Sequence, residues 1–154
     1  MQLIGFDPKH LPAFRRLNQQ WIETYFAIEP ADIEQLQDPV RQIIQPGGEI
    51  LFLLQGEDVV GTCALVPHGE SCFELAKMAV DPSAQGKGYG DLLMKGAIAW
   101  ARQQGAKQLM LLSNTKLVPA ISLYKKHGFQ TLREGVHPSY ARCNIEMVLY
   151  IREV

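Results

Sequence analysis

The stretch Cys72-Phe73-Glu74-Leu75-Ala76-Lys77-Met78-Ala79-Val80-Asp81-Pro82-Ser83-Ala84-Gln85-Gly86-Lys87-Gly88-Tyr89-Gly90 decides how this chain is read. Residues 72–80 read as a strand, and Asp81-Pro82 ends it, because proline lacks the N–H that would continue a ladder. Beyond the glycines, Leu92, Leu93, Ala97, Trp100 and Ala101 recur at helical spacing, with Gly105 as a natural stop. The turn between strand and helix holds Gly86, Gly88 and Gly90 at alternate positions, so the backbone can turn tightly and present successive N–H groups. Together with Lys87 and the positive end of the helix dipole, such a turn is a cradle for phosphate oxygens. It is not a Walker A loop, since no Gly-Lys-Ser/Thr is present. Nor is it a dinucleotide fingerprint: Asp91 stands three after Gly88, and no acidic residue ends the next strand to hold a ribose. Taken alone, a glycine-rich turn is equally compatible with a structural role and no ligand.

Outward from this stretch, residues 49–55 and 59–66 read as two further strands. Short turns at Gly56-Glu57-Asp58 and at residues 67–71 join them and residues 72–80 into an antiparallel meander. Residues 2–6 form a short strand, and Asp7-Pro8 starts a helix with an N-cap carboxylate and a proline in its first turn. Leu11, Phe14, Leu17, Trp21, Ile22 and Tyr25 give that helix one apolar stripe through about Phe26. A second helical region from Ala31 is interrupted by Pro39 and stops by Pro46-Gly47-Gly48. On the C-terminal side, residues 107–113 are a strand, residues 114–118 a loop, and Pro119 opens a short helix ending at Gly128. Residues 129–132 and 143–151 complete the sheet, the latter alternating Ile145, Met147, Leu149 and Ile151 with Asn144, Glu146, Val148 and Tyr150. The expected fold is mixed α/β in a single domain over 1–154, without repeats or linkers.

With 154 residues, 47% of them apolar, the chain can bury a full core without disulfides or a structural metal. No apolar run reaches the roughly 18 residues of a spanning helix, and the first residues lack a basic n-region and cleavage site. A cytoplasmic protein is expected, with no membrane partner. Cys63, Cys72 and Cys143 lie in apolar stretches without metal-ligand spacing and read as buried free thiols, while His10, His68, His127 and His137 form no ligand pair. No metal site is expected. The net charge of −1 conceals a division: residues 1–76 carry 4 Lys+Arg against 11 Asp+Glu, and residues 77–154 carry 11 against 5. A polyanion handled by the second half and a cation by the first would fit that division, as would solvated faces that happen to segregate. No basic run supports nucleic-acid binding.

Gln85-Gly86-Lys87-Gly88-Tyr89-Gly90 resembles the Gln/Arg-x-x-Gly-x-Gly/Ala motif of the GNAT superfamily of N-acetyltransferases. The strand of residues 74–80 with Asp81-Pro82 resembles that family's central strand, and Ala120-Ile121-Ser122-Leu123-Tyr124-Lys125-Lys126-His127-Gly128-Phe129 resembles its second conserved segment. The resemblance covers most of the chain. It implies a mixed, mostly antiparallel sheet, flanked by helices and splayed at its centre, with acetyl-CoA wedged between residues 78–80 and the strand of residues 109–113. On that likeness Met78, Ala79 and Val80 pair with the pantetheine amides through their backbone, and Gln85, Gly86, Lys87, Gly88, Tyr89 and Gly90 bind the pyrophosphate. The likeness is greatest to a bacterial subgroup that occurs alone or fused to a MarR-type DNA-binding domain. This chain has no room for such a second domain, so direct DNA binding is not expected.

Acetyl transfer to an amine needs a base for the amine proton, a donor for the developing oxyanion and a proton for the departing thiolate. Glu74, between Phe73 and Leu75, has neighbours that raise a carboxyl pKa, and the family often places its base at such a position; a structurally paired strand residue is the other reading. Lys77 lies three residues on, on the opposite face of a flat strand, so pairing with Glu74 requires a bulge; otherwise its head group reaches solvent. The resemblance assigns Tyr124 to the CoA sulfur as acid, against a role as a core aromatic beside Ile121 and Leu123. Asn114 contacts pantetheine or caps an Asx-turn. The N–H of about Ala79 is the expected oxyanion donor. Trp21, Tyr25, Phe26, Glu29 and Tyr140 are expected in the acceptor pocket with Glu74, Glu29 favouring a cationic acceptor and Arg142 offering a fork for an acceptor carboxylate. The reading is an acetyl-CoA-dependent N-acetyltransferase acting on a small primary amine by direct attack in a ternary complex. A noncatalytic acyl-CoA-binding module, or an enzyme acting on a protein or peptide amine, are the alternatives. An exposed face of the last strand leaves room for a homodimer.

Overall fold

In the computed structural model, which describes residues 1–138 and 140–152, the meander forms as the alternation and turn residues dictate. Strands β2 (Glu49–Gln55), β3 (Asp58–Pro67) and β4 (Cys72–Val80) pair antiparallel, with Leu51 opposite Cys63 and Leu65 opposite Leu75. The first turn is made by Gly56 at φ 63° and the second by Gly69 at φ 74°, the left-handed conformation that glycine adopts without a steric cost. Strand β1 (Gln2–Ile4) pairs with the outer edge of β2. Asp7 accepts a hydrogen bond from the Lys9 N–H, capping one 3-10 turn that leads into α1 (Leu11–Tyr25). Helix α2 (Pro30–Gln37) stops before Pro39, and a single π-helical turn over Val40–Ile44 follows.

Helix α3 (Tyr89–Gln103) crosses from β4 to β5 (Gln108–Ser113), which lies parallel to β4. Helix α4 (Val118–Lys126) then leads to β6 (Gln130–Glu134) and β7 (Ile145–Tyr150). The seven-stranded sheet has the order β1-β2-β3-β4-β5-β7-β6. The last strand is therefore interior and β6 forms the edge. Strand β7 starts later than expected: the Cys143 N–H turns back to the Tyr140 carbonyl, and Asn144 makes the first bond to β5, at the Ser113 carbonyl.

Both faces of the sheet are covered, which is why β2 reads as a continuous apolar run. Leu51, Leu53, Leu65 and Leu75 pack against Leu93, Met94, Ala97 and Ala101 of α3. Ile50, Phe52, Ala64 and Ala79 face Phe14 and Leu17 of α1 and Leu36 of α2. At about 25 cal/mol per Å² of apolar surface, burying each of these large side chains contributes roughly 1.5–3 kcal/mol. No helix among the described residues is long and apolar enough to cross a membrane.

The functional feature of the sheet is where it stops pairing. Strands β4 and β5 are bonded from Cys72–Gln108 to Leu75–Leu111, and there the contact ends although β4 runs on to Val80 and β5 to Ser113. The parting follows a bulge. Thr62 pairs with Ala79 and Ala64 with Ala76, so residues 77 and 78 of β4 stand opposite Cys63 alone, and Lys77 adopts φ 52°. The sheet is mixed, mostly antiparallel and splayed at its centre.

Candidate active site

The splay leaves one edge of β4 open over residues 76–80, and an elongated cleft of about 560 Å³ follows it. Met78, Ala79, Val80, Gln85, Gly86, Gly88, Tyr89, Gly90 and Tyr124 all line this cleft. Asp81 donates its N–H to the Val60 carbonyl, so alternation along the ladder turns Ala79 toward β3 as well. The groups left facing the cleft are those of Met78 and Val80, and an oxyanion donor is to be sought there rather than at Ala79. Gly86 (φ 79°) and Gly88 (φ 80°) are left-handed, and a Cβ on either would meet no atom within 4 Å, so conformation and not crowding requires glycine. At Gly90 the reason differs: its Cβ position lies 3.2 Å from Leu123 of α4. The first N–H groups of α3 precede any intrahelical acceptor and sit beside this turn, which suits an anion. Lys87 is exposed and stands outside the cleft wall.

A smaller pocket of about 80 Å³ adjoins the cleft and is lined by Glu74, Trp21, Phe26, Tyr140, Asn18 and Asn114, among others. The two cavities share Trp21, Met78, Leu117 and Tyr124. Tyr124 therefore stands at their junction, held edge-on to Phe129 at 6.1 Å between ring centroids. Burial pushes its hydroxyl up to about 12, opposed by a hydrogen bond shared with Ser113. Glu74 is raised above the ordinary carboxylate range, chiefly by burial, with the charge of Lys77 pulling the other way. Tyr140 is also raised, by burial first and then by the carboxylates of Asp32 and Glu74. Cys143 lines the inner pocket, but burial pushes its thiol up to about 11, which makes it a poor nucleophile at neutral pH. Tyr25 lines the outer cleft only, and Glu29 lines neither cavity.

Behind the inner pocket lies an ion cluster centred on Asp32, which is fully buried. Lys77 Nζ donates to Asp32 Oδ1 at 2.8 Å, and its side chain is only 4% exposed. The expectation that Lys77 reaches solvent is overturned, because the bulge swings it onto the face of Glu74 and toward α2. Arg142 Nη2 donates to Asp32 Oδ1 at 2.6 Å and Nη1 to Asp32 Oδ2, so the fork expected for an acceptor carboxylate is already occupied. Glu29 accepts from the Ala141 N–H at 2.8 Å and from Arg142 Nη1 at 3.4 Å, which ties the β6–β7 connection to the start of α2. Burial alone would raise the Asp32 carboxyl, but the Arg142 hydrogen bonds and the Lys77 charge bring it down to about 2. Both cations also lie over the Tyr140 ring, Lys77 at 5.2 Å and Arg142 at 4.7 Å from its centroid. Asn114 accepts from the Lys116 N–H at 2.9 Å, an Asx-turn, and donates to the Arg142 carbonyl at 2.7 Å. Of the cluster, Asp32 was not anticipated from sequence; its one local signal is the Glu29-Pro30-Ala31-Asp32 spacing, which closes as a capping box. Among the described residues, no group of three or more His, Cys, Asp or Glu converges to hold a metal.

Residues 13–129 match the acetyltransferase (GNAT) family. The chain is 28% identical over 149 residues to an uncharacterized N-acetyltransferase of Schizosaccharomyces pombe, covering 91% of this chain and 90% of that one. An acetyltransferase of the GNAT family from Staphylococcus aureus superposes with a TM-score of 0.87 at 18% identity, over 98% of this chain and 99% of its own. A putative acetyltransferase from Salmonella typhimurium, solved with acetyl-CoA, superposes with a TM-score of 0.80 at 20% identity, over 100% and 95% of the two chains. The structural likeness speaks for the fold. With the family match spanning 117 of the 154 residues, the chain belongs to the acetyltransferase (GNAT) family.

Proposed function

We propose that this acetyltransferase moves an acetyl group from acetyl-CoA to the primary amine of a small molecule, by direct attack with both substrates bound. The observation that carries the reading is the position of Tyr124 in the wall common to the outer cleft and the inner pocket. The outer cleft suits the cosubstrate: open β4 backbone for the pantetheine amides, and glycine-turn N–H groups for the pyrophosphate. The inner pocket suits the amine. Its lone pair attacks the thioester carbonyl carbon, an N–C bond forms, and the C–S bond breaks. The amine attacks in its neutral form; Glu74 takes the proton that leaves nitrogen as the amide forms, directly or through water, and Tyr124 supplies one to the departing sulfur. A pocket of about 80 Å³ favours a small head group over a peptide backbone.

The test is thiol release from acetyl-CoA against a panel of amines, amino acids, polyamines and short peptides, run beside Tyr124→Phe. Release that depends on a small amine and falls in the variant supports the reading. Acetyl-CoA binding without turnover on any acceptor favours a noncatalytic acyl-CoA-binding module instead.

A further inference from the structure

One buried polar atom at the inner pocket has no partner in the fold. Asn18, in α1, is 1% exposed and lines the same pocket as Glu74. Its Nδ2 donates to the Phe14 carbonyl at 3.0 Å, a bond within the helix that fixes the amide's orientation. Its Oδ1 is buried and accepts no hydrogen bond from the protein. An unsatisfied buried amide oxygen costs about 1–3 kcal/mol, so its retention at a pocket wall calls for a donor brought from outside.

The charges around the pocket restrict what that donor can be. Lys77 and Arg142 both reach the wall, yet each is ion-paired behind it, Lys77 with Asp32 and Arg142 with Asp32 and Glu29. Two cations and two carboxylates cancel. Glu74 is thus the one carboxylate on the wall among the described residues, with no ion pair of its own there, and no wall cation is left over for an incoming carboxylate. Lys116 lies over the ring of Phe26, a wall residue of the inner pocket, at 4.2 Å, placing a positive charge beside that wall. Trp21, Phe26 and Leu117 make the rest of the wall apolar.

We infer that Asn18 Oδ1 and Glu74 together receive the N–H groups of the acceptor, and that the acceptor is a primary amine with an uncharged, apolar tail. An α-amino acid would set its carboxylate against Glu74 with no free cation to meet it. A diamine would bring its second ammonium toward Lys116. The inference rests on the proposed amine acetylation and names the acceptor class for it, but binding tests it without turnover.

Calorimetric titration of the protein without acetyl-CoA, using 2-phenylethylamine, butylamine, phenylalanine and 1,4-diaminobutane, is the experiment. Each monoamine is expected to bind at least tenfold more tightly than its charged counterpart, 2-phenylethylamine against phenylalanine and butylamine against 1,4-diaminobutane. Equal or reversed affinities overturn the acceptor class, and so does failure of all four to bind. Asn18→Leu is expected to lose at least tenfold in monoamine affinity while its acetyl-CoA affinity stays unchanged; unaltered monoamine affinity removes Asn18 from the site. Because these are binding readouts, an absence of thiol release with monoamine binding intact would overturn the proposed reaction and leave the acceptor class standing.

Discussion

Tyr124 keeps its proton throughout the neutral range, because burial lifts its hydroxyl to about 12. A phenol is a weaker acid than a thiol, whose ordinary value is about 8.5, and burial widens the gap, so in the proposed role the proton would move late, as a hydrogen bond to sulfur that strengthens while C–S breaks. Removing it in Tyr124→Phe is expected to lower kcat by about a hundredfold, the low end of what a positioned acid supplies, and to leave acetyl-CoA affinity within a factor of two. Steady-state thiol release and calorimetry on the same preparation check both halves. Glu74 works in the opposite sense. Its carboxyl is raised by burial, opposed by Lys77 and by the nearby His68 and His137, with Glu146 adding to the rise. As a base it must be ionised, so kcat/KM should fall as pH drops through that raised value, and Glu74→Gln should abolish this acid limb along with about a hundredfold of rate. A limb that survives in the variant would assign the titration to another group. The placement of both at one pocket was legible in sequence, since each sits at a fixed offset from a local landmark: the glycine turn for Glu74, the Gly128-Phe129 pair for Tyr124. Asn18 and Asp32 were not, because a polar residue within a helical stripe looks the same in sequence whether it is solvated or buried against a pocket.

At the scale of elements, the glycine turn carries a prediction of its own. Gly88 sits at φ 80° as the N-cap of α3 with open space around its Cβ position. Alanine there pays only the left-handed strain, roughly 1–2 kcal/mol, which for a chain of this length lowers the melting temperature by about 2–8 °C. Relief of that strain would rotate the turn's N–H groups off the cleft, so Gly88→Ala is expected to weaken acetyl-CoA binding by about tenfold, equivalent to 1.4 kcal/mol. Thermal melts with and without acetyl-CoA separate the two effects, and a variant that melts lower yet binds normally would exclude the turn from cosubstrate recognition. The bounds of β2 and β4 were readable to the residue, because alternation and turn glycines are local signals. The bulge at residues 77 and 78 was not. A strand reveals an extra residue only against its partner's register, Thr62 with Ala79 and Ala64 with Ala76, and nothing in the one-dimensional pattern of β4 marks it. That single residue turns Lys77 inward and precedes the open edge of β4, so the least legible feature of the sheet shapes the site most.

Across the whole molecule, Asp32 joins parts that are distant in sequence: α2, the bulge of β4 through Lys77, and the β6–β7 connection through Arg142. Its carboxyl is held at about 2 against an ordinary 3.8. A depressed carboxyl contributes stability that is fully present above its unfolded value and is lost as pH falls through its folded one, here the window from about 4 down to about 2. The shift corresponds to about 2 kcal/mol. Glu74 has the opposite sign, since a raised carboxyl favours the fold at low pH and loses that contribution as pH rises. Asp32→Asn removes the charge while keeping the shape, leaving Lys77 buried without its counter-ion, and breaking such a pair costs about 3–5 kcal/mol at neutral pH. Urea unfolding of both proteins at pH 7, 4 and 2 is the measurement. The variant is expected to be less stable at pH 7 by that amount, and the gap should narrow by about 2 kcal/mol between pH 4 and pH 2, because wild-type Asp32 is itself becoming protonated there. A gap that stays constant across the window would mean that Lys77 and Arg142 are held mainly by packing and by Glu29, and that the acceptor wall does not depend on a buried charge for its shape.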